Sequence, residues 1–79
     1  MSARADYENN SLIVLIGAID NENAFYTLTD ALGKMVVSGS AYLSKGVSQL
    51  TLDMRNFSKG IYFFSVTNGE KSSKMKVAY

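Results

Sequence analysis

The alternation of apolar and polar side chains over the last thirty residues, Leu50–Tyr79, constrains this chain most. Leu50, Leu52 and Met54 alternate with Thr51 and Asp53; Tyr62, Phe64 and Val66 with Phe63 and Ser65; Met75, Val77 and Tyr79 with Lys76 and Ala78. Side chains two apart point to the same side of a pleated strand, so each run offers one apolar face. The given sequence stops at Tyr79, on an inward position of the last run, which commits its final backbone to a sheet.

The same period runs through the rest of the chain, and turn residues bound each piece. Strands are expected at about 11–18, 24–30, 35–40 (extending to Leu43 past a kink at Gly39), 47–54, 61–67 and 71–78, with a further short one around 3–7. Leu12–Ile16 is apolar throughout, as in a strand covered on both faces. Gly33 in Ala31-Leu32-Gly33-Lys34 can take the positive φ of a hairpin, and Asn68-Gly69 is the strongest two-residue hairpin signal. Ser44-Lys45-Gly46 makes another turn, residues 19–23 a polar loop, and residues 55–59 one helical turn. Short alternating strands with a turn every 8–12 residues point to a sandwich or small barrel. The domain proper is expected at 11–79, with 1–10 an N-terminal segment or short edge strand.

Seventy-nine residues make one small domain, which buries only about 60% of its unfolded surface. With no cysteine and no histidine, neither disulfides nor an ordinary zinc site can staple it. Apolar packing must suffice, from 47% hydrophobic residues including nine aromatics. On that basis Tyr26, Leu28, Leu50, Leu52, Tyr62, Phe64, Val66, Met75 and Val77 are expected inside. Ile61 and Phe63 then face the other way, to a second layer or an exposed docking patch.

Catalysis finds little footing. The His and Cys dyads are excluded by composition, and no Ser-Lys pair is singled out by spacing. Asp20, Glu22 and Asp30 follow no calcium-loop pattern, and the glycines are spread one to a turn rather than gathered for a phosphate. The net charge of +1 argues against a nucleic-acid binder. The charge is uneven, however: residues 1–54 carry three basic and six acidic side chains, residues 55–79 five basic and one acidic. That asymmetry is a solvated outer strand or a basic docking surface near the end. The start, MSARADYENN, lacks the cationic and apolar regions of a signal peptide, and no apolar run is long enough to span a membrane as a helix.

Three stretches together resemble a known family. Thr27–Val37 is similar to the I-Y-D-x-x-G-[RK]-x-V hairpin of the type IX secretion system C-terminal sorting domain of Bacteroidetes. Leu50–Asp53, Phe57 and Gly60–Val66 resemble its L-x-G-x-Y-x-x-x-V segment, and Lys74–Val77 its basic-apolar final strand. The resemblance covers about residues 24–79. Tyr7-Glu8-Asn9-Asn10 stands where the family has a Tyr-Pro-Asn-Pro-like opening, without either proline, and Thr29 replaces an aromatic.

The resemblance implies an all-β, immunoglobulin-like antiparallel sandwich of about seven short strands. It implies a non-catalytic export address, without cofactor or small-molecule substrate, that takes a cargo through the periplasm to the cell surface or medium. The implied partners are the type IX translocon, an outer-membrane shuttle protein and a surface sortase that removes the domain. Gly33, Lys34, Gly60, Tyr62, Lys74, Lys76, Val77 and Tyr79 are the expected recognition residues. Bare strand edges without proline also favour self-association or strand exchange. The competing reading is an extracellular adhesion or carbohydrate-binding sandwich, which would be expected to carry an aromatic platform, often of Trp; this chain has no Trp.

Overall fold

Every apolar run has period two, and the chain folds accordingly. The computed structural model describes residues 1–69 and 71–79, and among them are seven strands and no helix. These are β1 (Ser2–Asp6), β2 (Ser11–Ala18), β3 (Glu22–Asp30), β4 (Met35–Leu43), β5 (Gly46–Asp53), β6 (Ile61–Asn68) and β7 (Lys71–Ala78). They make two antiparallel sheets, β1-β2-β5 and β4-β3-β6-β7. The chain crosses between sheets after β2, β4 and β5, the Greek-key wiring of an immunoglobulin-like sandwich. Tyr62, near the start of β6, donates its hydroxyl hydrogen bond to the Ser58 carbonyl upstream. This is the tyrosine corner that such sandwiches place at that crossing.

The core is the sum of the two inner faces. Leu12, Val14, Ile16 and Leu52 from one sheet meet Ala24, Leu28, Tyr62, Phe64, Val66 and Val77 from the other, and Leu43, Met54 and Tyr79 close the ends. Three residues expected inside, Tyr26, Leu50 and Met75, are only half-buried. Leu50 and Met75 lie midway along β5 and β7, the outer strands of their sheets, away from the end that Met54 and Tyr79 close. Tyr26 lies beside edge strand β4 opposite Gly39, which has no side chain to cover it. The Leu12–Ile16 run is not covered on both faces either: Leu15 is 39% exposed, because the outside of the three-stranded sheet has no third layer.

Other local expectations shift by small amounts. β3 begins at Glu22, inside the stretch expected to be loop. Asn68 pairs with Lys71 as the last strand residue, so the turn starts one position later, at Gly69, with φ +58°. Residues 55–59 make a turn closed by the Phe57 amide on the Met54 carbonyl (3.0 Å). β4 runs unkinked through Gly39, and the irregularity lies instead at Leu28/Thr29, where the β3–β4 register slips.

Gly39 serves a different purpose. A Cβ built there would lie 2.6 Å from the Tyr26 hydroxyl and 2.8 Å from Cζ, so the ring occupies the space the missing side chain leaves. An aromatic covering a cross-strand edge glycine is a known way to stabilise such a strand. Gly39→Val should therefore destabilise the domain by about 1–3 kcal/mol through overpacking. Urea unfolding would measure it; an unchanged midpoint would mean that Tyr26 swings aside freely.

Candidate functional site

Strand direction gathers three loops at one end of the sandwich. Ser11 pairs with Asp53, Asp30 with Tyr62 and Ile61 with Ala78, so the 7–10 turn, the 31–34 turn, the 54–60 loop and Tyr79 share that end. Six of the eight expected recognition residues (Gly33, Lys34, Gly60, Tyr62, Val77 and Tyr79) lie at this end. Lys76 and Lys74 follow along β7.

Their accessibilities differ sharply. Val77 and Tyr79 are each 6% exposed and Tyr62 5%, so they support the site from beneath. Gly60 contributes backbone: its amide donates to the Tyr79 carbonyl (3.0 Å) and its carbonyl accepts from the Tyr79 amide (2.8 Å). That reciprocal pair extends the β6–β7 ladder one step and holds Tyr79 in the sheet. The side chains a partner can reach are Lys34, Lys74 and Lys76, all exposed. Lys74 and Lys76 stand on the outer face of β7, opposite Ser65 and Phe63. Ile61 and Phe63 share that outer face, at 38% exposure and half-buried respectively, with no second layer from the described chain.

Two contributors at this end were not among the expected residues. The Tyr7 ring packs on Tyr79 at 5.5 Å between centroids, and the Lys59 ammonium lies 5.1 Å from the centre of the Tyr7 ring. The first contact ties the N-terminal turn to the last residue; the second adds a cation–π interaction between two loops. Tyr7 ends the short strand expected around 3–7 and leads the tyrosine-led opening, but neither pattern points to its contact with Tyr79. The 7–10 turn is held by Asp6, which accepts from the Asn9 amide (3.3 Å) and side-chain nitrogen (2.8 Å). The Asn9 side-chain bond holds the Asp6 carboxyl below its ordinary pKa.

The 31–34 turn is built from its own residues. The Gly33 amide donates to the Asp30 carbonyl (3.0 Å), the Asp30 amide to the Lys34 carbonyl (2.8 Å), and Gly33 takes φ +89°. One Asp30 carboxylate oxygen accepts from both the Leu32 amide (3.0 Å) and the Lys34 amide (2.9 Å). The turn faces the 56–60 loop across a shallow groove of about 340 Å³, lined by Leu32, Val36, Phe57, Lys59 and Ile61 among others. Asp30→Ala should cost about 1–2 kcal/mol, because two amides lose their shared acceptor. A thermal melt unchanged by the substitution would show that backbone bonds alone hold the turn.

Among the described residues no three His, Cys, Asp or Glu side chains are grouped to hold a metal, and β3 separates Asp30 from Asp20 and Glu22 along its length. What the fold offers is an immunoglobulin-like β-sandwich module with a basic edge strand and a set of braced loops. The chain belongs to the secretion system C-terminal sorting domain family, whose profile matches residues 9–78. The match begins fifteen residues nearer the N-terminus than the expected 24–79, taking in β2 and part of the 7–10 turn. The family is that of type IX secretion signals, non-catalytic tags that mark a protein for export to the cell surface or beyond. No curated protein and no solved structure matches the chain.

Proposed function

We propose that this domain is the export address of a cargo protein, read by the type IX translocon and an outer-membrane shuttle protein through its last strands. The cargo crosses the periplasm, passes the outer membrane, and loses the domain to a surface sortase. The observation that carries the reading is the state of β7. It is an edge strand with one neighbour, it shows Lys71, Lys74 and Lys76 to solvent, and its end is fastened through Tyr79 to Gly60. An exposed edge held in register by the Gly60–Tyr79 pair suits recognition by strand addition, in which backbone supplies affinity and outward side chains supply selectivity. The buried Tyr62, Val77 and Tyr79 keep that edge in register, and Lys34, Lys74 and Lys76 are the groups read.

The test is sufficiency. Residues 1–79 are fused behind a periplasmic reporter in a bacterium with a working type IX system, and cells are fractionated. The reporter should move to the surface or medium and lose the mass of the domain. A reporter that stays in the periplasm although the domain is folded would overturn the reading; export without loss of mass would overturn only the sortase step.

A further inference from the structure

The sandwich has four edge strands, and their chemistry is unequal. β7 carries three lysines, β1 carries Arg4 and Asp6, and β5 ends in Asp53, whose carboxylate is paired with Arg55 at 2.8 Å. β4 is nine residues long, Met-Val-Val-Ser-Gly-Ser-Ala-Tyr-Leu, with no charge and no proline. Charged side chains, proline, bulges and short length are what protect a natural edge from pairing with another chain. β4 shows none of these along Val37–Leu43, where its pairing with β3 is regular. The two flanks of the sandwich differ as well. On one flank β1 and β7 are in contact. On the other, the inward residues Val37, Gly39 and Ala41 of β4 and Ser48 and Leu50 of β5 are all half-buried, leaving the seam between the sheets partly open.

We infer that β4 pairs antiparallel with β4 of a second copy of this chain, across a two-fold axis at Gly39. The occupant is a second copy because the strand is its own complement. With Gly39 opposite Gly39, Val37 meets Ala41 on the inner side and Ser38 meets Ser40 on the outer side, and no charged residue faces another. A partner strand chosen by charge would find nothing on β4 to select it. Pairing satisfies the free backbone groups of both edges and covers the half-buried seam. The result is one eight-stranded sheet, isologous as a two-fold interface must be, with the two β7 strands at its far ends. Both lysine-bearing edges stay accessible, so the inference is independent of the export reading.

Sedimentation of the 79-residue chain from about 10 μM to about 1 mM tests it, beside Ser38→Lys/Ser40→Lys and, as a control, Ser72→Lys on β7. Ser38, Ser40 and Ser72 are exposed, so neither variant disturbs the core. The native chain and the control should dimerise, and the β4 pair, which crowds four lysines at the axis, should raise the dissociation constant roughly tenfold or more. Amide exchange along β4 of the native chain should slow with concentration while β1 and β7 do not change. A native chain that stays monomeric, or a dimer indifferent to the two lysines, overturns the inference. Should the variant fail to fold, the exchange experiment decides: β4 amides that exchange at one rate at all concentrations overturn it equally.

Discussion

Phe64→Ala should remove about 3–5 kcal/mol of stability, the whole margin of a domain this small. Phe64 is fully buried at the middle of β6, between Leu28 on β3 and Met75 on β7, and its ring stacks on Tyr26 at 6.0 Å. Truncation removes that contact area and leaves a cavity between two sheets that have no third layer to move in. No disulfide is present to limit the unfolded chain, and the described structure contains one ion pair, on the surface. Surface pairs of that kind contribute little. Denaturation followed by circular dichroism should find the variant largely unfolded at 25 °C without denaturant. A cooperative melt near the native temperature would mean that the two sheets collapse onto the vacancy at little cost.

The second large effect concerns export. Deleting Lys76–Tyr79 should leave the cargo folded but retained in the periplasm. The deletion removes Val77 and Tyr79, two buried residues, together with the Gly60–Tyr79 backbone pair and the Tyr7–Tyr79 contact. It therefore loosens the domain as well as shortening the strand, at about 25 cal/mol for each Å² of apolar surface uncovered. Lys74→Gln/Lys76→Gln separates the two effects. Both side chains are exposed on the outer face, so the pair keeps the strand and its core contacts and changes only charge. Fractionation of cells carrying the deletion, the Gln pair and the native tail assigns the cause. Normal surface delivery by the deletion would sink the recognition of the last strands. Retention of the deletion with delivery of the Gln pair would mean that backbone and shape are read and charge is incidental.

How much of this was legible beforehand depends on which property is local. A period of two needs only the sequence, because successive side chains of any strand point to opposite faces. The six main strands, the inward set Leu28, Leu52, Tyr62, Phe64, Val66 and Val77, and the positive φ of Gly33 all follow from neighbours along the chain. The type IX resemblance rested on residues at short spacing, and the family match extends it to residues 9–78. At the site, sequence marked Gly33, Lys34, Gly60 and the β7 residues one segment at a time.

Position within a sheet is not local, and there the tertiary structure decided. Leu50 and Met75 have the same alternation as Leu52 and Val77 on the same outer strands, yet only Leu52 and Val77 are buried, because they lie nearer the end that Met54 and Tyr79 close. Leu15 is exposed because the sandwich has two layers, a fact that an apolar run cannot carry. Gly39 looked like a kink and is instead the space that the Tyr26 ring fills from the next strand. The contacts of Tyr7 with Tyr79 and of Lys59 with Tyr7 join segments far apart in sequence, and only the antiparallel order of the strands brings them to one end. Alternation determined which faces of this chain are apolar; strand order determined which of them are covered, because burial depends on what lies across the sheet.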